Sequence, residues 1–309
     1  MAIFGAFSAP GRWFRGNCHT HTLLSDGELS PAQTAAAYRR EGYDFLVLTD
    51  HWRVQETVAG LTDKQFLVIN GIELHPPALG GRRAGPHHII GIGVERAPVR
   101  ERMEKSTAAS VIRWIEREGG IAVYGHPYWS GDDLDVMREG KRAFGVEAYN
   151  SRCETVEGLG DSSVHLDQAL SAGIRWRAFA VDDTHRPARD AFGGWIMVKA
   201  RKLTREAILD AIRKGHFYAT QGPVIRSLRV RGGAVHLACS PVRKIVWHAE
   251  AFHGLAVIAK RGTRSRARFA LERLVGHSGY LRLEITDASG RKAWSNPIWY
   301  DARARRWGD

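Results

Sequence analysis

Short apolar runs alternate with helix-patterned stretches through the first 220 or so residues of the chain. Trp13-Phe14-Arg15-Gly16-Asn17-Cys18 predicts a first strand that delivers His19. Ser30-Pro31 then opens a helix, since Ser30 can cap it and Pro31 suits its first position. The helix runs through Ala35-Ala36-Ala37-Tyr38-Arg39-Arg40, Gly42 ends it, and residues 45–49 form the next strand. The pattern recurs, with strands over 66–70, 88–93, 121–124, 145–149 and 176–181. Helices are predicted over 106–118, 163–172 and 203–213, the first with Ile112, Trp114 and Ile115 on its apolar side and the last with Thr204 as its cap. Strands that alternate with helices predict an α/β fold built on parallel sheet.

After Gly222-Pro223 the periodicity changes. Leu228-Arg229-Val230-Arg231, Ala234-Val235-His236-Leu237, Ile245-Val246-Trp247 and Tyr280-Leu281-Arg282-Leu283-Glu284-Ile285 alternate with a period of two. Turn residues such as Gly232-Gly233 and Asp287-Ala288-Ser289-Gly290 separate them, and no helix is expected. Two domains are therefore predicted: residues 1–222, and residues 223–309 as a small all-β antiparallel sandwich. A chain of 309 residues is long enough for one large core or two smaller ones.

Composition narrows the class. At 44% hydrophobic and 25% charged residues the chain reads as an ordinary soluble globular protein, with no apolar run long enough for a membrane span. The opening residues lack a basic segment followed by an apolar core, so no secretory signal is expected. Cys18, Cys153 and Cys239 are far apart and form no CxxC pair, which predicts free thiols and a cytoplasmic location. The net charge of +12 is concentrated late: residues 223–309 hold 17 lysines and arginines against 6 aspartates and glutamates. Such an excess can attract nucleic acid or anionic lipid. No aromatic–basic motif of a known binding module accompanies it, so a solvated basic surface is the plainer reading.

The chemistry lies in histidines and carboxylates placed beside the apolar runs. They are His19-Thr20-His21, Ser25-Asp26-Gly27, Thr49-Asp50-His51, Gly71-Ile72-Glu73, His88, Gly125-His126-Pro127 and Asp183-Thr184-His185. Imidazole and carboxylate are ligands for zinc, manganese and iron. In an extended segment His19 and His21 point to the same face and can meet one ion. A single His-x-His is a weak signal, but a set repeated at successive strand ends predicts an active site at one rim of an α/β barrel.

This series resembles the polymerase and histidinol phosphatase (PHP) superfamily over about residues 13 to 222. Trp13 to His19, Phe217-Tyr218-Ala219-Thr220-Gln221-Gly222-Pro223 and Ala293-Trp294-Ser295-Asn296-Pro297-Ile298-Trp299 look most like the branch that includes carbaryl hydrolases. The resemblance implies a distorted (β/α)7 barrel holding two to three divalent ions, zinc, manganese or iron. By position it implies His19, His21, Glu73 and Asp183 at the first ion. Glu73, His88 and His126 would hold the second, and Asp26, His51 and His185 the third. His87 is the alternative to His88, while Asp50, Asp182 and His75 are expected to orient ligands or serve the fold. Clustered ions of this kind activate water and clamp phosphate oxygens, so attack by a metal-bridging hydroxide on a phosphoester is expected.

The predicted function is thus a phosphoesterase acting on a nucleotide, another small phosphate ester or an oligonucleotide end, with Glu73, His126, Asp183 and Arg186 as catalytic candidates. Arg186 would pair with substrate phosphate, a surface ion pair being the alternative, and Glu147, Tyr128 and Trp129 are candidate pocket residues. A carbamate, ester or amide hydrolase using the same metals is the second reading. A non-enzymatic, metal-stabilised binding module is the third, and retention of all nine candidate ligands argues against it.

Overall fold

A computed structural model describes residues 5–55, 58–79, 85–274, 276–301 and 306–308. Seven strands build the N-terminal barrel: β1 (Arg12–Asn17), β2 (Phe45–Leu48), β3 (Leu67–Leu74), β4 (Ile89–Ile92), β5 (Ile121–Tyr124), β6 (Gly145–Asn150) and β7 (Arg177–Val181). Every residue of β2 to β6 is buried, because helices and loops cover the sheet's outer face while side chains fill its interior. The strands pair in chain order, and a parallel bridge between Thr20 and Thr184 joins the continuations of β1 and β7 to close the ring. His21 N–H donates to the Thr184 carbonyl and Asp183 N–H to the His19 carbonyl, both at 2.9 Å.

The covering helices follow their sequence signals. Ser30 caps Pro31–Arg40 in a capping box with Gln33, and Thr107 caps Ala108–Arg117. Val111, Ile112 and Ile115 of the latter are fully buried, spaced as one face of a 3.6-residue helix requires, while Trp114 is only partly covered. Thr204 caps Arg205–Arg213, which begins two residues later than predicted.

Three features depart from the sequence reading. β3 continues through Gly71 to Leu74, so Glu73 lies within the strand. β4 is antiparallel to both β3 and β5, which interrupts the parallel order and accounts for the barrel's distortion. Two further strands, β8 (Trp195–Ala200) and β9 (Phe217–Thr220), have no counterpart in the prediction; β8 runs antiparallel to β1, and β9 antiparallel to β8.

The C-terminal strands are β10 (Ile225–Arg231), β11 (Ala234–Val242), β12 (Lys244–His248), β13 (Leu255–Ile258), β14 (Arg264–Ala270), β15 (Tyr280–Thr286), β16 (Lys292–Ser295), β17 (Ile298–Asp301) and β18 (Arg306–Gly308). β10, β11 and β14 form a three-stranded antiparallel sheet. Its inner residues Leu228, Val235, Leu237 and Phe269 pack with Ile245, Trp247, Leu281, Leu283 and Ile285 of the other sheet, giving a two-layer sandwich. The predicted boundary at 222/223 falls between β9 and β10, yet the hydrogen-bonded sheet crosses it, because β16 pairs with β9. Trp13, Met197 and Tyr218 from the barrel side pack against the sandwich core. Among the described residues no helix is long and apolar enough to cross a membrane, and Cys18, Cys153 and Cys239 are all free and buried. Residues 1–4, where the absence of a leader was predicted, lie outside the described part.

Candidate metal centre

The rim of the barrel gathers all nine histidines and carboxylates of the predicted ligand set. β1 runs out into His19 and His21, held by Asn17, whose amide donates to the His19 carbonyl at 2.8 Å and to Thr20 Oγ1 at 2.6 Å. Asp50 anchors the next turn: its carboxylate accepts from Thr22 N–H at 2.7 Å, the Thr22 hydroxyl at 2.9 Å and the Ser25 hydroxyl at 2.6 Å. This folds Asp26 back toward the strand end. Gly27 is required there, since a Cβ would lie 2.5 Å from the His21 carbonyl carbon and oxygen. His51 follows β2, Glu73 lies within β3, His126 follows β5, and Asp183 and His185 follow β7. His88 precedes β4. Because that strand is antiparallel, its N-terminal end reaches the same rim as the C-terminal ends of its neighbours.

Glu73 is central, and its two oxygens face different partners. Oε2 lies 3.1 Å from His19 Nε2, 3.1 Å from His21 Nε2 and 3.0 Å from His51 Nδ1. Oε1 lies 2.6 Å from His88 Nδ1 and 3.7 Å from both His126 Nε2 and His75 Nε2. Asp183 Oδ1 completes the first group, 3.3 Å from His19 Nε2 and 3.1 Å from His21 Nε2. A third group surrounds Asp26, whose oxygens lie 3.5 Å from His21 Nδ1, 3.4 Å from His51 Nε2 and 3.3 Å from His185 Nε2.

These donors fit divalent ions. Ligand atoms about 2.0–2.2 Å from one tetrahedral ion lie roughly 3.3 Å from one another, close to the spacing seen here among the His19, His21 and Glu73 atoms and between Asp183 and each of those two histidines. His19 Nε2 and His21 Nε2 approach to 3.1 Å, and His51 Nδ1 and His75 Nε2 are buried without a hydrogen-bond partner among the described residues. The electrostatics point the same way. Burial opposes charge on His19, but Asp183, Glu147 and Glu73 outweigh it and raise the imidazole well above its usual range. Burial likewise works against the His51 cation, yet Glu73 and Asp26 push it up to about 10. On Glu73 itself burial favours the neutral acid, and His19, His51 and His88 hold it well below the ordinary carboxylate range. Burial, with His126 and His75, instead lowers His88 to about 4, whereas protons held on His19 and His51 compete with metal cations, so metal loading at those nitrogens should tighten as pH rises.

Supporting residues fix the donors. Glu147 Oε1 lies 2.7 Å from His19 Nδ1, which leaves Nε2 to face the cluster, while Oε2 accepts from His126 N–H at 3.0 Å and from Asn150 at 2.9 Å. Asp183 adopts φ +56°, a conformation costly for a non-glycine residue, and Asn150 donates to its second oxygen at 3.2 Å. Asp182, by contrast, accepts from Gly193 and Gly194 N–H and from the Tyr38 hydroxyl, facing away from the donors.

No family model matches the chain, and no curated protein matches it. Among solved structures it is similar to a two-domain protein of Bacteroides vulgatus described as containing a predicted PHP-like metal-dependent phosphoesterase. That likeness spans 93% of this chain and 94% of the other, with 16% identity and a TM-score of 0.52. The chain has that PHP-like two-domain fold. Weaker similarity extends to an amidohydrolase of Chromobacterium violaceum (17% identity, 57% of this chain and 89% of the other, TM-score 0.43). It extends also to a proposed metal-dependent phosphoesterase of Bifidobacterium adolescentis (14% identity, 64% and 94%, TM-score 0.41).

Other predicted residues fall outside the donor groups. His87 turns away, with Nδ1 2.7 Å from the Tyr124 hydroxyl and Nε2 2.9 Å from Glu139. Arg186 is exposed at the rim; its backbone N–H donates to Asp190, and its guanidinium makes no ion pair among the described residues. Trp129 sets its edge against His88 and His126, with ring centroids 5.7 and 5.0 Å apart, while Tyr128 is exposed beside His165. A cavity of about 990 Å³ is lined by Tyr128, Asp133, His165, Asp167, His248 and Tyr280 among others, and by none of the nine donors.

Sequence reasoning missed or misplaced three residues. Glu147 orients His19 from behind instead of lining a pocket; a carboxylate inside an otherwise apolar strand was its signal. His75 stands beside the cluster, its ring centroid 4.2 Å from that of His88 and 4.5 Å from that of His51. Arg152, which the sequence did not mark, sits over the Trp129 ring at 5.4 Å, in the field of Asp183.

The contrast between adjacent histidines makes a direct prediction. His88→Ala should remove about one bound ion per chain, because it deletes the imidazole closest to Glu73. His87→Ala should leave the metal content unchanged and only lower thermal stability. Elemental analysis of both variants checks this, and the opposite pattern would reverse their roles.

Proposed function

We propose that the chain is a PHP-superfamily metal-dependent hydrolase, and that its substrates are phosphoesters. The observation that carries this reading is Glu73 at the junction of two donor groups, with each oxygen facing a different set of histidines. His19, His21, Glu73 and Asp183 would hold one ion, Glu73, His88 and His126 a second, and Asp26, His51 and His185 a third. Such ions, when bound, supply activated water at neutral pH and Lewis acidity toward phosphoryl oxygens.

The chain's own residues prepare that chemistry. Glu147 fixes the His19 tautomer, and Asn150 ties Glu147 to Asp183, so the two carboxylates keep their positions as charge develops on the substrate. Trp129 shields the imidazoles of His88 and His126 from water on one side. Arg152, over the Trp129 ring and 3.4 Å from Glu157, adds positive charge within the field of Asp183 that suits an anionic substrate. This is the feature that favours a phosphoester over a neutral carbamate or amide.

Protein stripped with chelator and reconstituted in turn with zinc, manganese and iron should bind two or three ions per chain. It should then hydrolyse an aryl phosphate mono- or diester faster than an aryl carbamate offered in parallel. Less than one ion per chain would defeat the metal assignment. Carbamate turnover exceeding phosphoester turnover would leave the metals in place and replace the substrate class.

A further inference from the structure

The outer face of the β10–β11–β14 sheet carries five arginines and no carboxylate. Strand alternation puts Arg229 and Arg231 of β10, His236 of β11 and Arg266 and Arg268 of β14 on this face, all exposed, while Leu228, Val235, Leu237 and Phe269 point into the sandwich core. Pairing sets Arg229, His236 and Arg268 side by side in one row across the three strands, with Arg266 one step away opposite Ala238. Arg264 continues the row along β14. None of these five arginines makes an ion pair among the described residues, although other exposed arginines of the chain, such as Arg39, Arg96 and Arg138, do. Two shallow depressions of about 580 and 510 Å³ lie between the side chains, both walled by Arg229, His236 and Arg268.

No arginine stands directly opposite another, but Arg229 and Arg231, and Arg264, Arg266 and Arg268, follow one another at alternate positions about 6.8 Å apart, so like charges crowd one face with no carboxylate to relieve them. Protection of edge strands explains charge on β10 and β14, but it needs neither a single sign nor arginine in every place. Arginine's planar fork matches phosphate oxygens in pairs. Alternate residues recur about every 6.8 Å along a strand and neighbouring strands lie about 4.8 Å apart, a lattice of cations that suits a regular array of phosphates.

We propose that this face binds the phosphate backbone of double-stranded nucleic acid without sequence preference. Two observations select a duplex. The side chains between the arginines are Ser227, Ala234, Ala238 and Ala270, too small to insert into a bilayer. Nor does the face carry a phenylalanine, tyrosine or tryptophan, the broad rings on which single-stranded bases stack; its one ring is the His236 imidazole. None of its residues belongs to a metal-donor group, so the proposal stands apart from the hydrolase reading.

The test uses the full chain in chelator, so that no hydrolysis intervenes, with a labelled duplex of about 25 base pairs followed by anisotropy between about 50 and 200 mM salt. Binding should weaken with a log–log slope near −4, as roughly four or five neutralised phosphates require. Arg229→Gln/Arg268→Gln should weaken binding about tenfold or more and flatten the slope by about 2, while Arg229→Lys/Arg268→Lys keeps most of it. Arg231→Gln/Arg266→Gln provides an independent pair should the first disturb folding. Duplex affinity unchanged in both glutamine pairs would overturn the proposal. So would tighter binding to a single strand of equal length, or arginine-dependent binding to phosphatidylserine vesicles in the absence of duplex binding.

Discussion

Glu73→Gln should lower turnover by at least about a hundredfold while the chain still folds. A hundredfold corresponds to about 2.7 kcal/mol of transition-state stabilisation, within the range for removing one electrostatic element from a preorganised site. Glutamine keeps the size and one acceptor oxygen, but replaces the other with a donor and removes the charge that faces five histidines of the ligand set. Both of the donor groups that share Glu73 lose their common carboxylate, so metal content should fall alongside activity. Folding should survive because the β3 hydrogen bonds to β2 and β4 are made by backbone and the apolar neighbours Ile72 and Leu74 remain buried. Circular dichroism, elemental analysis and kinetics on the same preparation separate these effects. Near-normal turnover with full metal content would reject the shared-carboxylate mechanism.

The sequence made this site legible because its donors sit beside short apolar runs, and a barrel brings successive strand ends to one rim. His19-x-His21, Glu73 and Asp183-x-His185 needed no knowledge of the covering helices to be placed together. Strand direction was less accessible. The run at Ile89–Ile92 reads alike in either direction, so the antiparallel course of β4 and the arrival of His88 from its N-terminal end emerge only from the pairing. Local pattern also misses residues that act through a distant partner. Glu147 lies 128 positions from His19 in the chain, and nothing near it announces that contact. The same holds for β8 and β9: Trp195–Ala200 and Phe217–Thr220 are ordinary apolar segments, and their importance is that they carry the sheet from β1 across to β16. The period-two pattern after residue 222 gave the antiparallel strands but not the joint between them and the barrel.

That joint is where the largest effect on stability is expected. Arg282, on β15, is fully buried and forks onto Asp167 of the barrel helix Ser163–Ser171, at 2.5 and 2.6 Å. His248 Nδ1 lies 3.1 Å from the same carboxylate, and Glu284 lies 3.5 Å from both Arg282 and Lys292. A buried pair of this kind adds little over a well-packed apolar substitute, but breaking it on one side leaves a charge without its partner. Arg282→Met should therefore cost about 3–5 kcal/mol and lower Tm by several degrees, with metal content unchanged because the rim is untouched. Arg282→Met/Asp167→Asn should recover part of the loss, as a double-mutant cycle would measure. The pH dependence gives a second readout. Burial raises the Asp167 acid, but His248 and Arg282 outweigh it and hold it near 2. A carboxyl whose folded value lies below its unfolded one contributes stability above about pH 4, and that contribution is lost as pH falls toward 2. Without Arg282 the depression shrinks, so the variant should lose less of its stability over that acid interval than the parent protein does. If Arg282→Met melts at the parental temperature with the parental acid profile, the ion pair does not hold the sandwich to the barrel, and the attachment rests on the β9–β16 pairing and on the hydrogen bond from Trp294 to Ser163.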